Sequence, residues 1–83
     1  MERRITFFVR KAEPTSDGWI VYGEVGLGPL QAGDQLRFVM HQNLNEELAS
    51  LRVTEVAPNR LSLVGGQAVA IEPGDILGGE VIR

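Results

Sequence analysis

The chain has 83 residues, no cysteine, one histidine and a formal net charge of −3. This length fits one domain, and the composition excludes disulfides, a thiolate metal site and a histidine-rich metal cluster. The acidic balance disfavours nucleic-acid binding, whose affinity comes largely from neutralising phosphates.

The beginning of the chain is its basic part. Arg3, Arg4, Arg10 and Lys11 stand against Glu2 and give the first eleven residues a charge of +3, which leaves −6 for the remainder. A basic strand face of this kind predicts at most weak contact with RNA, and the alternative is a solvated strand edge that its charges protect. The apolar stretch between these charges is shorter than the roughly 7–15 residues of a secretory signal, so we expect a cytoplasmic protein.

Apolar and polar residues then alternate with the period of two that is typical of β-strands. Six such runs, rich in β-branched and aromatic residues, follow one another, and turn formers separate them. The runs are Ile5–Val9, Trp19–Tyr22, Leu36–Met40, Leu51–Val56, Arg60–Val64 and Ile76–Ile82. The pattern predicts an all-β fold. At this length we expect a small closed antiparallel β-barrel of about six or seven strands, because closure removes exposed sheet edges.

Residues 42–48 allow two interpretations. Leu44, Leu48 and Leu51 have helical spacing and Asn45 is a candidate N-cap, which favours a short helical turn. The polar residues between them favour a loop that leads into a strand at about Leu48, and we adopt this second prediction. No internal repeat is evident in the sequence.

Residues 57–60 predict a tight hairpin turn, since proline suits its second position and asparagine its third. This turn should pair two apolar strand segments on one side of a ribbon. The residues concerned are Leu51, Val53, Leu61 and Leu63.

Residues 23–36 follow the pattern G-x-V-x-x-G-x-L-x-x-G-D-x-L. This stretch resembles the hallmark segment of the β-barrel second domain of translational GTPases, the elongation factor Tu-like family. We expect Gly28 and Gly33 to form turns with positive φ, and Val25, Leu30 and Leu36 to fill the interior.

A second stretch, residues 70–82, is similar to the closing turn and final strand of the same family, and Phe7–Val9 falls where its first barrel strand lies. The resemblance covers nearly all of residues 1–83, as one domain standing without a GTPase domain. It implies a non-enzymatic binding module that docks on a protein or RNA partner. The alternative is a structural or regulatory protein that acts through homo-oligomerisation without nucleic acid.

One departure concerns the tRNA pocket of elongation factor Tu, to which a Glu and an Arg three residues apart contribute. The matching Val53–Val56 stretch places these two positions at Ala57 and Arg60, whereas counting back from the closing turn places them at Ser62 and Gly65. The carboxylate is absent on either alignment. We therefore expect no discrimination of aminoacylated tRNA ends.

The candidate binding residues come from charge, from aromatic character and from this alignment. Trp19 is a rigid aromatic next to a turn, and its alternative role is to cap one end of the barrel. Arg60 lies at a hairpin tip, where its alternative role is that of a solvated turn residue. The complete set is Arg60, Arg3, Arg4, Arg10, Lys11 and Trp19.

Leftover apolar side chains predict a protein partner or a homo-oligomer. With 43% hydrophobic residues, a chain this short cannot hide all of them. Strand alternation points one member of each neighbouring apolar pair outward. The residues expected on the outside are Phe8, Trp19, Leu27 and Val39.

No residue pattern predicts catalysis, a metal or a cofactor. His41 would need an orienting carboxylate such as Glu46 or Glu47, and a surface histidine is the default interpretation. Asp34 and Asp75 each follow a glycine in a turn, so their side chains should bond nearby backbone N–H groups rather than a metal.

A first prediction concerns nucleotides. The chain contains no G-x-x-x-x-G-K-[ST] loop, the motif whose backbone N–H groups and lysine hold a nucleoside triphosphate. We expect a fluorescent GTP analogue to show no saturable binding in a polarisation titration at micromolar concentrations. Saturable binding would contradict this expectation.

Overall fold

The computed structural model describes residues 2–43 and 45–82 and contains six β-strands. The strands are β1 (Glu2–Pro14), β2 (Gly18–Leu27), β3 (Gln35–Met40), β4 (Glu46–Ala57), β5 (Arg60–Gly65) and β6 (Ile76–Ile82). They form a closed barrel in the order β1-β2-β5-β4-β3-β6, and every neighbouring pair is antiparallel. The all-β closed barrel is therefore confirmed. In the described part of the chain, no helix has the length and apolar character needed to cross a membrane.

The barrel interior is a single apolar core. Strand alternation supplies most of it: on β1, the buried Ile5, Phe7 and Val9 are separated by residues that face outward. The two loops before β3 and β6 contribute three more buried side chains. The full set is Ile5, Phe7, Val9, Val21, Leu30, Leu36, Val39, Leu51, Val53, Leu61, Leu63, Val69, Ile71 and Leu77.

Two expectations about the inside and the outside are wrong. Val39 is fully buried, because the pairing of β3 with β4 is irregular between Leu36 and Phe38 and both Leu36 and Val39 then face the core. Val25 is 47% exposed, because β2 beyond Gly23 pairs with β1 alone and extends past the end of β5. In each case a local irregularity of the sheet decides which face a residue takes.

The connection between β3 and β4 is short. The His41 N–H donates to the Asn45 carbonyl (2.9 Å), the Asn45 N–H donates to the Asn43 side-chain oxygen (3.0 Å), and β4 begins at Glu46. The loop-to-strand prediction is thus confirmed with an earlier start, and no helical turn occurs among the described residues. Leu44 lies outside them.

The hairpin at residues 57–60 forms as predicted. Ala57 pairs with Arg60, and Asn59 has a φ of 61°. The four apolar residues assigned to one side of this ribbon are all buried. Thr54 is an extra residue in the ladder, where the pairing shifts between Val53 and Glu55.

Two turns of the same construction precede β3 and β6. In the first, the Gln31 N–H donates to the Asp34 side chain (2.9 Å) and the Asp34 N–H donates to the Gln31 carbonyl (3.1 Å). In the second, Glu72 and Asp75 make the same two hydrogen bonds, at 2.9 and 3.1 Å. Each aspartate therefore bonds a backbone N–H group, as expected.

The glycine of each turn has the positive φ that this construction requires, 97° at Gly33 and 95° at Gly74. The expectation of a second positive φ, at Gly28, is wrong. Gly28 instead precedes a cis peptide bond to Pro29.

Each turn is hydrogen-bonded to the middle of a strand in the other half of the chain. Gly33 and Asp34 exchange two backbone hydrogen bonds with Val53 of β4, at 2.7 and 2.8 Å. Gly74 and Asp75 make the equivalent pair with Val9 of β1, at 2.7 and 2.9 Å.

The chain thus consists of two equivalent halves, β1 to β3 and β4 to β6. Residues 30–36 read L-Q-A-G-D-Q-L and residues 71–77 read I-E-P-G-D-I-L, so the sequence carries this repeat as well. The interpretation that it has no internal repeat is therefore wrong.

The two turns generate a matched prediction. Asp75 is 2% exposed and its carboxylate accepts from the Glu72 N–H, whereas Asp34 is only half-buried and water can replace part of its hydrogen bonding. Asp75→Ala should lower the free energy of unfolding by about 1–3 kcal/mol in urea denaturation, and Asp34→Ala by less. Asp75→Asn keeps an acceptor oxygen, so its loss of unfolding free energy should lie between the losses of the two alanine variants. Equal losses in the two alanine variants would contradict the assignment.

Candidate interaction surfaces

The four basic residues near the N-terminus do not form one cluster. Arg3 and Arg4 lie near one end of β1, and Arg10 and Lys11 lie six to eight residues further along it. A strand rises about 3.3 Å per residue, so the two pairs are separated by roughly 20 Å. The charge that is concentrated in the sequence is spread along the barrel.

Most of the candidate cations also have carboxylate neighbours. The ion pairs are Arg4–Glu80 (3.9 Å), Arg10–Glu24 (2.6 Å), Lys11–Glu13 (3.1 Å) and Arg60–Glu55 (3.0 Å). All four are largely exposed, so each adds little to stability. Their effect is to neutralise the local field that a phosphate group would encounter.

The structure brings some of the predicted binding residues together around Tyr22. This residue pairs with Lys11 on β1 and with Arg60 on β5, and the Lys11 Nζ lies 5.5 Å from the centre of its ring, within the range of a cation–π interaction. A shallow pocket of about 330 Å³ adjoins it. The pocket is lined by Arg10, Tyr22, Gly23, Glu24 and Asn59. Sequence reasoning missed Tyr22, since its role depends on a pairing between β2 and β5.

Trp19 lies apart from these cations. Its ring is half-buried against the core, and its Nε1–H donates to the Gly66 carbonyl at 3.1 Å. Trp19 therefore packs between the core and the loop after β5, and the prediction that it lies on the outside holds only in part.

Three exposed apolar side chains lie on β1 and β2. Phe8 and Leu27 are 45% and 51% exposed, as predicted, and Val25 is 47% exposed. Leu27 pairs with Thr6 and therefore shares the outward face of β1 with Phe8, whereas Val25 pairs with the buried Phe7 and lies on the opposite face of the ribbon. We call Phe8 and Leu27 the ribbon patch.

The ribbon patch has a defined local cause. The Phe8 ring lies against Gly26, where a Cβ atom would stand 2.7 Å from the Phe8 Cε2. Only glycine leaves room for the ring in this position. Elsewhere, Leu48 and Val56 on β4 are the other large apolar side chains found exposed in the described residues.

His41 is held between two carboxylates. Its Nδ1 lies 3.1 Å from the buried carboxylate of Asp75, and its Nε2 lies 3.0 Å from that of Glu47, which is about half exposed. The hydrogen bond to Glu47, followed by the hydrogen bond to Asp75 and the charges of both, outweighs partial burial and raises the pKa of His41. Glu47 was one of the two expected neighbours. Asp75, at a separation of 34 residues, was not foreseen.

This arrangement joins elements rather than presenting a base. A general base needs a ring nitrogen with a free lone pair directed at the substrate, whereas both nitrogens of His41 face carboxylates. The imidazole therefore ties the end of β3 to the start of β4 and to the turn before β6. It also lines a polar pocket of about 340 Å³ with Gln42, Asn43, Glu72 and Asp75. Within residues 2–43 and 45–82, no group of three or more His, Cys, Asp or Glu side chains could hold a metal ion.

No protein-family model, no curated protein and no solved structure matches the chain. The resemblance to the second domain of translational GTPases accordingly stands on residues 23–36 and 70–82 of the sequence. It stays a prediction.

The pKa of His41 predicts a pH dependence of stability. Since the folded-state pKa is raised above the unfolded value of about 6.5, the stabilisation is complete below that pH and is lost as the pH rises through the folded-state pKa. The free energy of unfolding should therefore fall in the parent chain as the pH rises above about 6.5, and fall less in His41→Gln.

Glu47→Gln serves as the second comparison for this effect, because the hydrogen bond to Glu47 is the largest cause of the raised pKa. It should flatten the pH profile partway towards that of His41→Gln. Urea titrations at several pH values measure all three chains. Superimposable pH profiles of the parent and His41→Gln would refute the role given to His41.

Proposed function

We propose that this chain is a non-enzymatic binding module that docks on a folded protein partner through the ribbon patch. The observation that carries the proposal is the exposure of Phe8 and Leu27, by 45% and 51%, on the same face of two adjacent strands. Contiguous apolar surface on a soluble domain tends to mark a partner site. Full burial of side chains of this size is worth about 1.5–3 kcal/mol each, so these two can anchor a contact.

The resemblance to the translational GTPases supports the same conclusion. In that family, one flank of the second-domain barrel packs against a GTPase domain, so part of its surface is an interface. The open side of β2 at residues 24–27, where β1 is the only neighbouring strand, is available for a contact of this kind.

An RNA partner is less well supported. Arg10, Lys11 and Arg60 surround Tyr22, but each has a carboxylate oxygen within 3.1 Å, and a phosphate would have to displace it. RNA binding should then be weak and strongly salt-dependent, with a log–log slope of about −0.9 or shallower per neutralised phosphate. Homo-oligomerisation through the ribbon patch is the remaining alternative.

The test is site-specific photo-crosslinking in a lysate of the source cells, with benzoylphenylalanine at position 27. Position 56 on β4 is the control, since Val56 is also an exposed apolar residue, at 40%. We expect a discrete protein adduct from position 27 that survives nuclease treatment and is absent from position 56. Phe8→Ser should reduce its yield several-fold, because it removes a neighbouring anchor, whereas Val64→Ser, outside the ribbon patch, should not.

Three results would overturn the proposal: equal labelling from both positions, an adduct that nuclease removes, or an adduct formed only between copies of the chain. The last would favour homo-oligomerisation. Light scattering over a concentration series checks that outcome independently.

A further inference from the structure

The first part of β4 has an open edge. β4 pairs with β3 along residues 46–52 but with β5 only from Leu51 onward, because β5 ends at Gly65. Among the described residues, no strand is paired with the β5 side of residues 46–49, whereas Gly65 at the end of β5 lies against the Ser50 carbonyl. Unpaired N–H and C=O groups of this kind are a template for an added strand.

A groove runs beside this edge, between β4 and the loop after β5. Its volume is about 350 Å³, which is near the lower limit for ligand pockets and suits one or two side chains. The lining is mostly apolar and, apart from Leu48 and Gln67, consists of small residues and Val69. Leu48 forms one rim and is 82% exposed. The principal lining residues are Leu48, Ala49, Gly66, Gln67, Ala68 and Val69.

The far wall of the groove is already ordered. The Val69 N–H donates to the Gly66 carbonyl at 3.1 Å, and the Trp19 Nε1–H donates to the same oxygen at 3.1 Å. The Val69 side chain is anchored in the core. A preformed wall reduces the ordering cost of binding, so Trp19 is a positioning residue for this groove.

The internal repeat indicates what the groove lacks. The turns place Val9 and Val53 in equivalent positions, so Thr6 of β1 corresponds to Ser50 of β4. Thr6 is met by the chain's own β2, and its hydroxyl accepts the Leu27 N–H at 2.8 Å. Ser50 presents an equivalent hydroxyl at an exposed position just beyond the last residue pair of the β4–β5 ladder. A bound peptide in extended conformation, with a backbone N–H group at this point, would pair with β4 in the way that β2 pairs with β1.

The charge beside the groove and the small size of the open edge restrict which molecule can bind there. Glu46 and Glu47 stand at the start of the open edge and favour a basic side chain on the occupant, Glu46 especially, since Glu47 already contacts His41. A second copy of the chain would present the same two glutamates. Two such short edges would also bury less than the roughly 1,000 Å² of a stable dimer.

We propose that this groove binds an extended peptide segment of a partner protein, which adds to β4 as a strand. The peptide places one apolar side chain between Ala49 and Ala68 and a lysine or arginine close to Glu46, while a backbone N–H donates to the Ser50 hydroxyl. The site is independent of the ribbon patch, so either proposal can fail without the other.

The test begins with selection from a displayed library of random twelve-residue peptides against the full chain. The selected peptides should share an apolar residue near a basic one and bind with micromolar affinity in fluorescence polarisation. Ala68→Arg, which fills the groove and repels a basic peptide, should weaken binding at least about tenfold. Ala32→Arg, at an exposed position in the first turn, is the matched control and should leave affinity unchanged.

Two further measurements address the backbone pairing itself. N-methylation of alternate peptide nitrogens should abolish binding when it falls on the face paired with β4 and not on the other face. Hydrogen exchange of the amides of residues 46–50 should slow when peptide is bound. The proposal is overturned if no peptide is selected, if Ala68→Arg binds as well as Ala32→Arg with both variants folded, or if N-methylation has no effect on either face.

Discussion

The barrel depends on one reciprocal interaction: each Gly-Asp turn is hydrogen-bonded through its backbone to the central valine of a strand in the opposite half. Gly33 and Asp34 hold Val53, and Gly74 and Asp75 hold Val9, with distances that agree within 0.1 Å. Both valines are buried, so these contacts fix the core-facing register of β1 and β4 together. Because neither half supplies both partners, the halves cannot close a barrel separately.

The two surfaces that we propose as binding sites arise where the two halves differ. β2 has ten residues and continues along β1 to Leu27, whereas β5 has six and leaves β4 at Gly65. Gly65 and Gly66 both have positive φ, which directs the chain away from the sheet. The longer strand produces the exposed ribbon patch, and the shorter one leaves the first residues of β4 without a partner on the β5 side. His41 is a third difference, since it adds a side-chain link to the turn at Asp75.

The sequence was sufficient to predict the features that depend on the local alternation of residues and on turn-forming residues. Strand alternation predicted the six runs, and proline and asparagine predicted the hairpin before Arg60. The sequence did not predict which side chains are buried where one extra residue in a ladder changes the alternation, as at Val39. It also failed where a strand extends beyond its neighbour, as at Val25. The cluster around Tyr22 and the contact of His41 with Asp75 depend on pairings between distant strands, which no local pattern contains. The repeat of the Gly-Asp segments was visible in the letters, but only their equivalent hydrogen bonds show that it is structural.

Strand pairing also changes what the charge distribution means. The positive N-terminal segment lies between β2 and β6, whose Glu24 and Glu80 form ion pairs with Arg10 and Arg4. Folding therefore places acidic residues beside the basic ones that the sequence separates. A surface with such alternating charge has little long-range field with which to attract a polyanion. In the interactions that we propose, selectivity then comes from short-range features, namely apolar side chains that exclude water and backbone groups that require an extended partner. Those are the features of the ribbon patch and of the open edge of β4.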